Sequence, residues 1–510
     1  MLTPSGLADS FARDNLPPPA AWPDLINLEA LGYPERLNCA AELLLRPVRE
    51  GRGGRPCLVT DDEAWTYADL ARRAAQIAGV LSRELGLVPG NRVLLHAPNT
   101  PMAVAAWFGC VLAGGIVVAT MPLLRGREIA TVAEKAAVEF ALFDARLGDA
   151  VRDAAAQAPR LRHLVAFGPG GDLEGRMAAQ PAEFAPVDTA ADDICLIAFT
   201  SGTTGQPKGT LHFHRDVLAI CDGFSRHILQ PEADDVFIGS PPLAFTFGLG
   251  GLVLFPLRVG ASAVLIEKPS PDALLAGIAR HRATILFTAP TAYRAMLDRL
   301  AQYDTSSLRK GVSAGETLPP ATWHAFAERT GIRLIDGIGA TEMLHIFISA
   351  SGDAIRPGAT GRPVPGYEAR VVDAEGRPLP PGTVGWLAVR GPTGCRYLAD
   401  DRQGQYVRGG WNVTGDAYLM DADGYFHFQA RNDDMIVSAG YNIAGPEVEA
   451  ALVEHEAVAE CAVVASPDAE RGHVVKAFVV LRPGFAADEA MVRELQDHVK
   501  ATIAPYKYPR

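Results

Sequence analysis

Cysteine is scarce in this chain of 510 residues, and its spacing follows no known framework. The number of cysteines is odd, and no two of them form a CxxC pair. The seven are Cys39, Cys57, Cys110, Cys195, Cys221, Cys395 and Cys461. Scattered cysteines of this kind argue against a disulfide framework or a zinc site. The pattern favours a reducing compartment, and we expect a cytoplasmic protein.

An excess of positive charge is also absent. Lysine and arginine number 47 against 59 aspartate and glutamate residues, which gives a formal net charge of -12. A chain with that balance offers no electrostatic surface for nucleic acid or for an anionic membrane. The N-terminal stretch contains acidic residues and lacks the apolar centre of a signal peptide. We therefore expect neither nucleic acid nor membrane as a partner.

Charge is missing from one long stretch, Met102 to Leu124. A stretch of this length could cross a bilayer, but Gly114-Gly115 divides it into a helix-like and a strand-like part. We interpret it, and the similar Leu249 to Ile266, as a buried helix and strand, with a membrane span as the alternative.

The apolar segments point to an α/β fold. Strand-like runs alternate with longer helix-like segments, as in βαβ units with a largely parallel sheet. After Arg356 the pattern changes to short strands with Gly/Pro turns, and from Met435 it returns to α/β. Pro169 to Pro186 has the composition of a loop. A chain of this length exceeds what one core usually organises, so we expect at least two domains.

A strand-like run, Ile194 to Phe199, leads into the sequence TSGTTGQPKG. Glycines let backbone N–H groups turn around an anion, and hydroxyls and a lysine add charge-assisted hydrogen bonds to phosphate oxygens. The spacing matches neither the GxxxxGK[ST] loop nor GxGxxG. We predict a different phosphate loop; a polar surface loop is the alternative. Its members are Thr200, Ser201, Gly202, Thr203, Thr204, Gly205 and Lys208.

This loop resembles the signature of the adenylate-forming enzymes, which include acyl- and aryl-CoA synthetases. Three further motifs occur in the family's order: DGIGATE (336–342), VTGD (413–416) and RNDDMIVSAGYNIAGPEVE (431–449). Four ordered motifs are far more specific than one, so the chain is identified as a member of that superfamily. The resemblance implies a large N-terminal domain of two parallel-sheet subdomains with a small β-rich lobe, followed by a small mobile α+β domain.

The resemblance implies that ATP, Mg²⁺ and coenzyme A take part in the reaction. Thr200, Ser201, Thr203 and Thr204 would hold the β and γ phosphates, with Lys208 shaping the loop. Further along the chain, Thr341 would donate its hydroxyl toward the α-phosphate and Glu342 would bind Mg²⁺. Without the resemblance, the alternative interpretation of Glu342 is a solvated residue of a turn.

The same resemblance implies the nucleoside contacts. Asp416 and Arg431 would bind the ribose hydroxyls, although a surface ion pair is the commoner fate of such residues. The adenine would lie near Gly315, Glu316, Asp336, Gly337 and Ile338. Many relatives carry tyrosine where this chain has Ile338, so adenine would pack against an aliphatic face.

The implied domain boundaries are an N-terminal domain of residues 1–430, a hinge at 431–433 that contains Asp433, and a C-terminal domain of 434–510. Gly440 would line the pantetheine tunnel of coenzyme A. The sequence ends at Arg510, ahead of the motif that carries the family's catalytic lysine. We therefore expect a C-terminal domain truncated before that lysine, which would bind ATP and acid but adenylate poorly.

The chain carries no carboxylate between Gly239 and Ile266, which disfavours an α-amino acid as substrate because its ammonium group would lack an anion. The segments PPLAFTFGLG and GIGATEMLHIF resemble those of benzoate and 2-aminobenzoate CoA ligases. The resemblance implies a short apolar pocket for a small aromatic acid. It would be lined by Ala244, Phe245, Thr246, Phe247, Gly339, His345 and Ile346.

Within this pocket, benzoate-type relatives tend to carry Ala-Tyr where this chain has Thr246-Phe247. We hypothesise that Thr246 accommodates an ortho amino group. Core packing is the alternative for Phe245 and Phe247, and a satisfied polar residue is the alternative for His345.

The predicted activity is an ATP-dependent aryl-CoA ligase that forms an acyl-adenylate and then a CoA thioester, with release of AMP and pyrophosphate. The acid would be 2-aminobenzoate or benzoate, which suggests a place in aromatic degradation. The alternatives are a non-catalytic adenylate-binding protein and an aryl acid adenylation enzyme that loads a carrier. We expect a monomer or a homodimer.

Overall fold

The computed structural model describes residues 2–200, 207–431, 435–438, 441–468, 472–503 and 507–510. The chain divides into two compact units. The first unit contains Met1–Pro357, Gly361–Glu368 and Arg390–Asn412, and the second contains Gly358–Thr360, Ala369–Val389 and Val413–Arg510. The domain boundaries expected near residues 430 and 433 stay predictions.

The strands of the described residues fall into four sheets. In chain order, the first twelve are β1 (Pro56–Val59), β2 (Ala64–Thr66), β3 (Arg92–His96), β4 (Ile116–Thr120), β5 (Phe140–Asp144), β6 (His163–Phe167), β7 (Ile194–Thr200), β8 (Lys208–Phe213), β9 (Val236–Gly239), β10 (Ser262–Val264), β11 (Ile285–Thr288) and β12 (Lys310–Ser313). The others are β13 (Ile335–Gly339), β14 (Ile346–Ser349), β15 (Arg362–Pro363), β16 (Glu368–Val372), β17 (Val384–Arg390), β18 (Val407–Arg408), β19 (Trp411–Met420), β20 (Phe426–Arg431), β21 (Met435–Ser438), β22 (Tyr441–Ala444), β23 (Val458–Asp468) and β24 (Gly472–Leu481).

Helices α1 to α14 belong to the first unit, where they alternate with the strands, and α15 and α16 belong to the second. They are α1 (Phe11–Asp14), α2 (Leu28–Leu31), α3 (Tyr67–Gly79), α4 (Pro101–Leu112), α5 (Gly126–Lys135), α6 (Gly148–Gln157), α7 (Leu173–Ala178), α8 (His214–Ile220), α9 (Thr246–Leu249), α10 (Phe255–Val259), α11 (Pro271–His281), α12 (Pro290–Met296), α13 (Pro320–Thr330), α14 (Gln403–Tyr406), α15 (Gly445–Val453) and α16 (Glu489–Thr502).

The first unit contains a six-stranded sheet in the order β6-β5-β3-β4-β7-β8. Its strands are parallel except for the pairing of β7 with β8, which is an antiparallel hairpin at the sheet edge. Strand β3 is buried along its whole length, as a strand covered on both faces must be. The apolar stretch from Met102 forms α4 and β4, which confirms the predicted buried helix and strand.

A second sheet of nine strands, in the order β15-β14-β13-β12-β11-β9-β10-β1-β2, completes the first unit. Strands β10, β9, β11, β12 and β13 run parallel, so their carboxyl ends meet at one edge. Beyond β9 the chain forms one continuous helical stretch made of α9, a π-helical turn over Gly250–Leu254, and α10. That stretch begins at the carboxyl edge of the sheet, where ligands of open α/β sheets bind.

The second unit is rich in antiparallel strands. The order β16-β17-β19, with β20 paired to β19, gives a small sheet, and β22-β21-β24-β23 gives a four-stranded one. Helices α15 and α16 cover the latter around a core that contains Ile436, Val448 and Val499. The α/β fold class with parallel sheets and a small C-terminal α+β part is confirmed.

The prediction of a loop over Pro169 to Pro186 is wrong in part, because helix α7 forms within this stretch. Leu173 and Met177 stand one turn apart and are both buried, so packing decides the conformation where composition indicates a loop. Among the described residues, none of the helices combines the length and the apolar character that a membrane span requires.

Candidate active site

The predicted phosphate loop connects the two strands of the edge hairpin. Thr200 ends β7 and lies opposite Lys208, which begins β8. The Thr200 hydroxyl is buried and has no hydrogen-bonding partner among the described residues. The residues between them, Ser201, Gly202, Thr203, Thr204 and Gly205, lie outside the described residues, and so do Asp433 and Gly440. Their assignments stay predictions.

Glu342 lies in a turn, Thr341–Met343, that follows β13 and packs beside β7. Its carboxylate is buried, with an exposed fraction of 7% for the residue. The Tyr397 hydroxyl donates a hydrogen bond of 2.5 Å to Glu342 Oε1. A carboxylate held in one orientation through one oxygen keeps its other oxygen available for a hard cation.

Tyr397 connects this carboxylate to the hairpin. Its ring lies 5.2 Å from the Lys208 ammonium, and its backbone forms a bridge with Thr210 on β8. Burial raises the pKa of the Tyr397 phenol well above its usual range, and the negative charge of Glu342 adds to this effect. The phenol therefore stays protonated and remains a donor. Sequence reasoning missed Tyr397 because 55 residues separate it from Glu342.

The predicted adenine residues either follow β12 or lie within β13. Gly315 has a φ of +90°, a conformation that glycine adopts without strain. The Glu316 carboxylate accepts hydrogen bonds from the backbone N–H and the hydroxyl of Thr291, at 3.2 and 3.1 Å. Gly337 and Ile338 form the centre of β13.

The carboxyl group of Asp336, the second residue of β13, lies in an unusual environment. Its Oδ1 is buried without a hydrogen-bonding partner among the described residues. Burial raises the pKa of Asp336 to about 7, and the Gly337 backbone and the Ser313 hydroxyl oppose this effect only in part. Near neutral pH the group is therefore poised between its neutral and charged forms.

Among the residues predicted for the acid pocket, His345 is enclosed by aromatic rings. Its ring lies 4.5 Å from Phe255, 5.5 Å from Phe224 and 5.7 Å from Phe247, measured between ring centroids. Phe287 at the end of β11 continues the enclosure at 5.6 Å from Phe247. Phe224, Phe255 and Phe287 were not predicted, since neither motif nor spacing connects them with the acid.

Both ring nitrogens of His345 are buried and lack hydrogen-bonding partners among the described residues. Burial lowers the pKa of His345 to about 3, and the nearby Phe247 backbone opposes this effect only in part, so the imidazole is neutral at physiological pH. An added Cβ on Gly250 would lie 2.3 Å from His345 Cδ2, and one on Gly339 would lie 2.8 Å from the His345 backbone. These two glycines let the histidine occupy this position.

The other residues predicted for the acid pocket differ in their exposure to solvent. Ala244 and Thr246 are half-buried around the start of α9, and Ile346 on β14 is buried with its side chain against Gly337. Phe245 is 48% exposed, and it belongs to none of the ring contacts found around His345. The roles of all seven predicted residues in an acid pocket stay predictions.

The segment that leads into α9 is held in place by Asn99. The Asn99 amide donates to the Pro241 carbonyl at 3.0 Å, and its carbonyl oxygen accepts from the Leu243 backbone N–H at 2.8 Å. Asn99 is buried between β3 and α4. The six-stranded sheet thus positions the pocket segment through one bidentate side chain.

The predicted ribose residues lie in the second unit. Asp416 on β19 pairs with Arg431 on β20 in the antiparallel register, so their backbones lie opposite each other. The Thr414 hydroxyl accepts a hydrogen bond of 3.3 Å from the Asp416 backbone N–H. The structure thereby brings together two residues that the sequence separates, and their ribose role stays a prediction.

Comparison with known proteins places these features in a family. The AMP-binding enzyme model matches residues 46–397, and the AMP-binding enzyme C-terminal domain model matches residues 447–510. The benzoate-CoA ligase of Thauera aromatica is 36% identical over 94% of this chain and 93% of its own length. The 4-hydroxybenzoate-CoA/benzoate-CoA ligase of Rhodopseudomonas palustris is 33% identical over 93% of this chain and 89% of its own length.

Two solved structures are similar over most of their length. The anthranilate CoA ligase AuaEII in complex with anthranoyl-AMP has a TM-score of 0.90 and 35% identity, covering 94% of each chain. A benzoate CoA ligase from Burkholderia xenovorans LB400 has a TM-score of 0.86 and 34% identity, covering 93% of this chain and 95% of its own. This chain is therefore a member of the AMP-binding enzyme family, the adenylate-forming superfamily, in its benzoate and aminobenzoate CoA ligase subgroup.

Proposed function

We propose that this protein is an ATP-dependent aryl-CoA ligase whose preferred acid is 2-aminobenzoate, with benzoate as the alternative. In the first step a carboxylate oxygen attacks the α-phosphorus of ATP, so that an aryl-adenylate forms and pyrophosphate leaves. In the second step the thiol of coenzyme A attacks the carbonyl carbon, and AMP leaves. Membership of the subgroup supports the reaction, and the pocket around His345 supports the choice of acid.

One observation supports the choice of acid. Among the described residues, the two ring nitrogens of His345 have no hydrogen-bonding partner, and aromatic rings surround the imidazole. A buried polar atom without a partner costs about 1–3 kcal/mol. A substrate that supplies the missing hydrogen bond recovers part of that cost. Flat aromatic walls favour a planar ring beside it.

The protonation state of His345 determines which substituent on the aromatic acid can form a hydrogen bond with its imidazole. A neutral imidazole has one N–H donor and one nitrogen that accepts. An aromatic amine donates to the accepting nitrogen, whereas unsubstituted benzoate has no donor on its ring. This difference favours 2-aminobenzoate. The Thr246 hydroxyl at the start of α9 is the second candidate for contact with the amino group.

The nucleotide would bind along the hairpin and the carboxyl ends of β12 and β13. Thr200 and Lys208 would contact the polyphosphate, and Thr341 would donate to the α-phosphate. Glu342 is a fitting ligand for Mg²⁺ because its carboxylate is buried and held by Tyr397 through one oxygen. When bound there, Mg²⁺ would neutralise negative charge on the phosphates.

A panel of substituted benzoates tests the proposal, with CoA thioester formation measured from ATP and acid, and separately from preformed aryl-adenylate. We expect 2-aminobenzoate to give the highest kcat/KM. His345→Leu should lower the preference for 2-aminobenzoate over benzoate by about tenfold, which corresponds to about 1.4 kcal/mol. Thr246→Ala should lower the same ratio if its hydroxyl contacts the amino group.

His324→Leu is the matched control, because His324 is exposed on α13. It should leave the ratio unchanged. Equal use of both acids by the unaltered protein would contradict the choice of 2-aminobenzoate. Binding of adenylate without thioester formation from it would favour the non-catalytic alternative, and preference for a carrier thiol over coenzyme A would favour the carrier-loading one.

A further inference from the structure

Three metal-ligating side chains meet inside the first unit, in positions to which the proposed reaction assigns no role. Cys39 precedes the helical turn Ala41–Leu45, Cys195 lies on β7, and His214 is the first residue of α8. Their ligand atoms all lie within 4.8 Å of one another. All three are buried, with exposed fractions of 0%, 0% and 1%. The linear spacing gives no sign of this cluster.

The geometry of the cluster suits a small metal ion. His214 Nδ1 lies 3.2 Å from Cys39 Sγ and accepts the Cys39 backbone N–H at 3.1 Å. An accepting Nδ1 carries one lone pair, which the Cys39 backbone N–H engages here and which a bound metal ion would take over. Zinc sites have Zn–S distances of about 2.3 Å and Zn–N distances of about 2.0–2.1 Å, which place tetrahedral ligands roughly 3.5–3.8 Å apart. The observed spacing needs only small side-chain shifts to reach that arrangement.

The donor set selects the kind of ion. Two sulfurs and an imidazole nitrogen suit a thiophilic ion such as Zn²⁺, whereas Mg²⁺ and Ca²⁺ require oxygen. Two thiolates and a neutral imidazole balance the charge of Zn²⁺, so the occupied cluster would be electrically neutral. Neutrality matters here because an uncompensated charge is costly in a buried position.

We propose that Cys39, Cys195 and His214 bind one Zn²⁺ ion. The ion would fasten the segment around Cys39 to both strands of the β7–β8 hairpin, since Cys195 lies on β7 and His214 directly follows β8. The three side chains leave the fourth position of a tetrahedral ion to a further ligand such as a water molecule. We assign the ion a stabilising role, because none of its three ligands is among the residues assigned to substrates. Its buried position means that the ion enters while the chain folds.

The test uses protein purified from cells grown with added zinc, and protein refolded with Zn²⁺ or Co²⁺. We expect about one equivalent of zinc per chain by elemental analysis, and with Co²⁺ a thiolate charge-transfer band in the near ultraviolet. Cys39→Ser and Cys195→Ser should each lower the zinc content at least tenfold and remove the band. Zinc should also raise the melting temperature of the unaltered protein but not of these variants.

Cys110→Ser is the matched control, because Cys110 is a buried free cysteine on α4 outside the cluster. It should retain the zinc and the Co²⁺ band. Substoichiometric zinc after both growth and refolding, or an equal loss of zinc in the Cys110 variant, would overturn the proposal. A Cys39–Cys195 disulfide in protein prepared without reductant and lacking zinc would overturn it as well.

Discussion

Removing the phenol oxygen of Tyr397 should loosen Glu342 while leaving the shape of the site unchanged. The Tyr397 hydroxyl donates a hydrogen bond of 2.5 Å to Glu342 Oε1 in a buried setting. A hydrogen bond to a charged group contributes about 1.5–3 kcal/mol to stability. We therefore expect Tyr397→Phe to lower the free energy of unfolding by about that amount, measured by chemical denaturation.

The same variant should weaken the response to Mg²⁺. Once the phenol is gone, the Glu342 side chain regains its rotamer freedom, and binding a cation must order it again at a cost of up to about 1.5–2 kcal/mol. That cost corresponds to roughly a tenfold higher half-saturating Mg²⁺ concentration at fixed ATP. A titration of thermal stability against Mg²⁺ in the presence of ATP measures it.

Tyr406→Phe is the matched control, since the Tyr406 ring packs edge-on against Tyr397 with centroids 5.8 Å apart. It should leave the Mg²⁺ requirement unchanged. A Tyr397→Phe protein that needs the same or less Mg²⁺ than the unaltered protein would refute the positioning role of Tyr397. Equal shifts in both variants would show that the effect is one of packing.

Three further substitutions test the environments of buried groups. Burial raises the pKa of Asp336 to about 7. The free energy of unfolding should therefore fall as pH rises from about 4 to about 7, by at most roughly 1.4 kcal/mol per pH unit. Asp336→Asn should remove this pH dependence, measured by chemical denaturation at several pH values. Gly250→Ala should cost about 1–3 kcal/mol by crowding His345 and should weaken aryl acid binding in calorimetry. Arg396→Met should destabilise the protein by about 3–5 kcal/mol, because it removes the cation that pairs with buried Asp216, and unchanged thermal melts would contradict this.

The sequence predicts the fold well wherever apolar runs are long. The stretch from Met102 contains an apolar helix, a Gly-Gly turn and an apolar strand, and these form α4 and β4. Helix α7 was missed because it is short and surrounded by glycine and proline. Only tertiary packing of Leu173 and Met177 stabilises it, and the local composition carries no trace of that packing.

The candidate site was predictable only where its residues share one motif. Thr341 and Glu342 adjoin β13 in sequence as in space, so a motif locates them. Tyr397 reaches Glu342 from 55 residues away, and Cys39 reaches His214 from 175 residues away. Such contacts depend on strand order and on helix placement. No local spacing encodes them.

The most direct test of the central claim is a calorimetric titration of the protein with a non-hydrolysable 2-aminobenzoyl-adenylate analogue. One molecule should bind per chain, more tightly than AMP, and His345→Leu should erase the advantage over the benzoyl analogue. Binding no tighter than that of AMP would contradict the account, because the aromatic enclosure around His345 would then contribute nothing to the recognition of the acid.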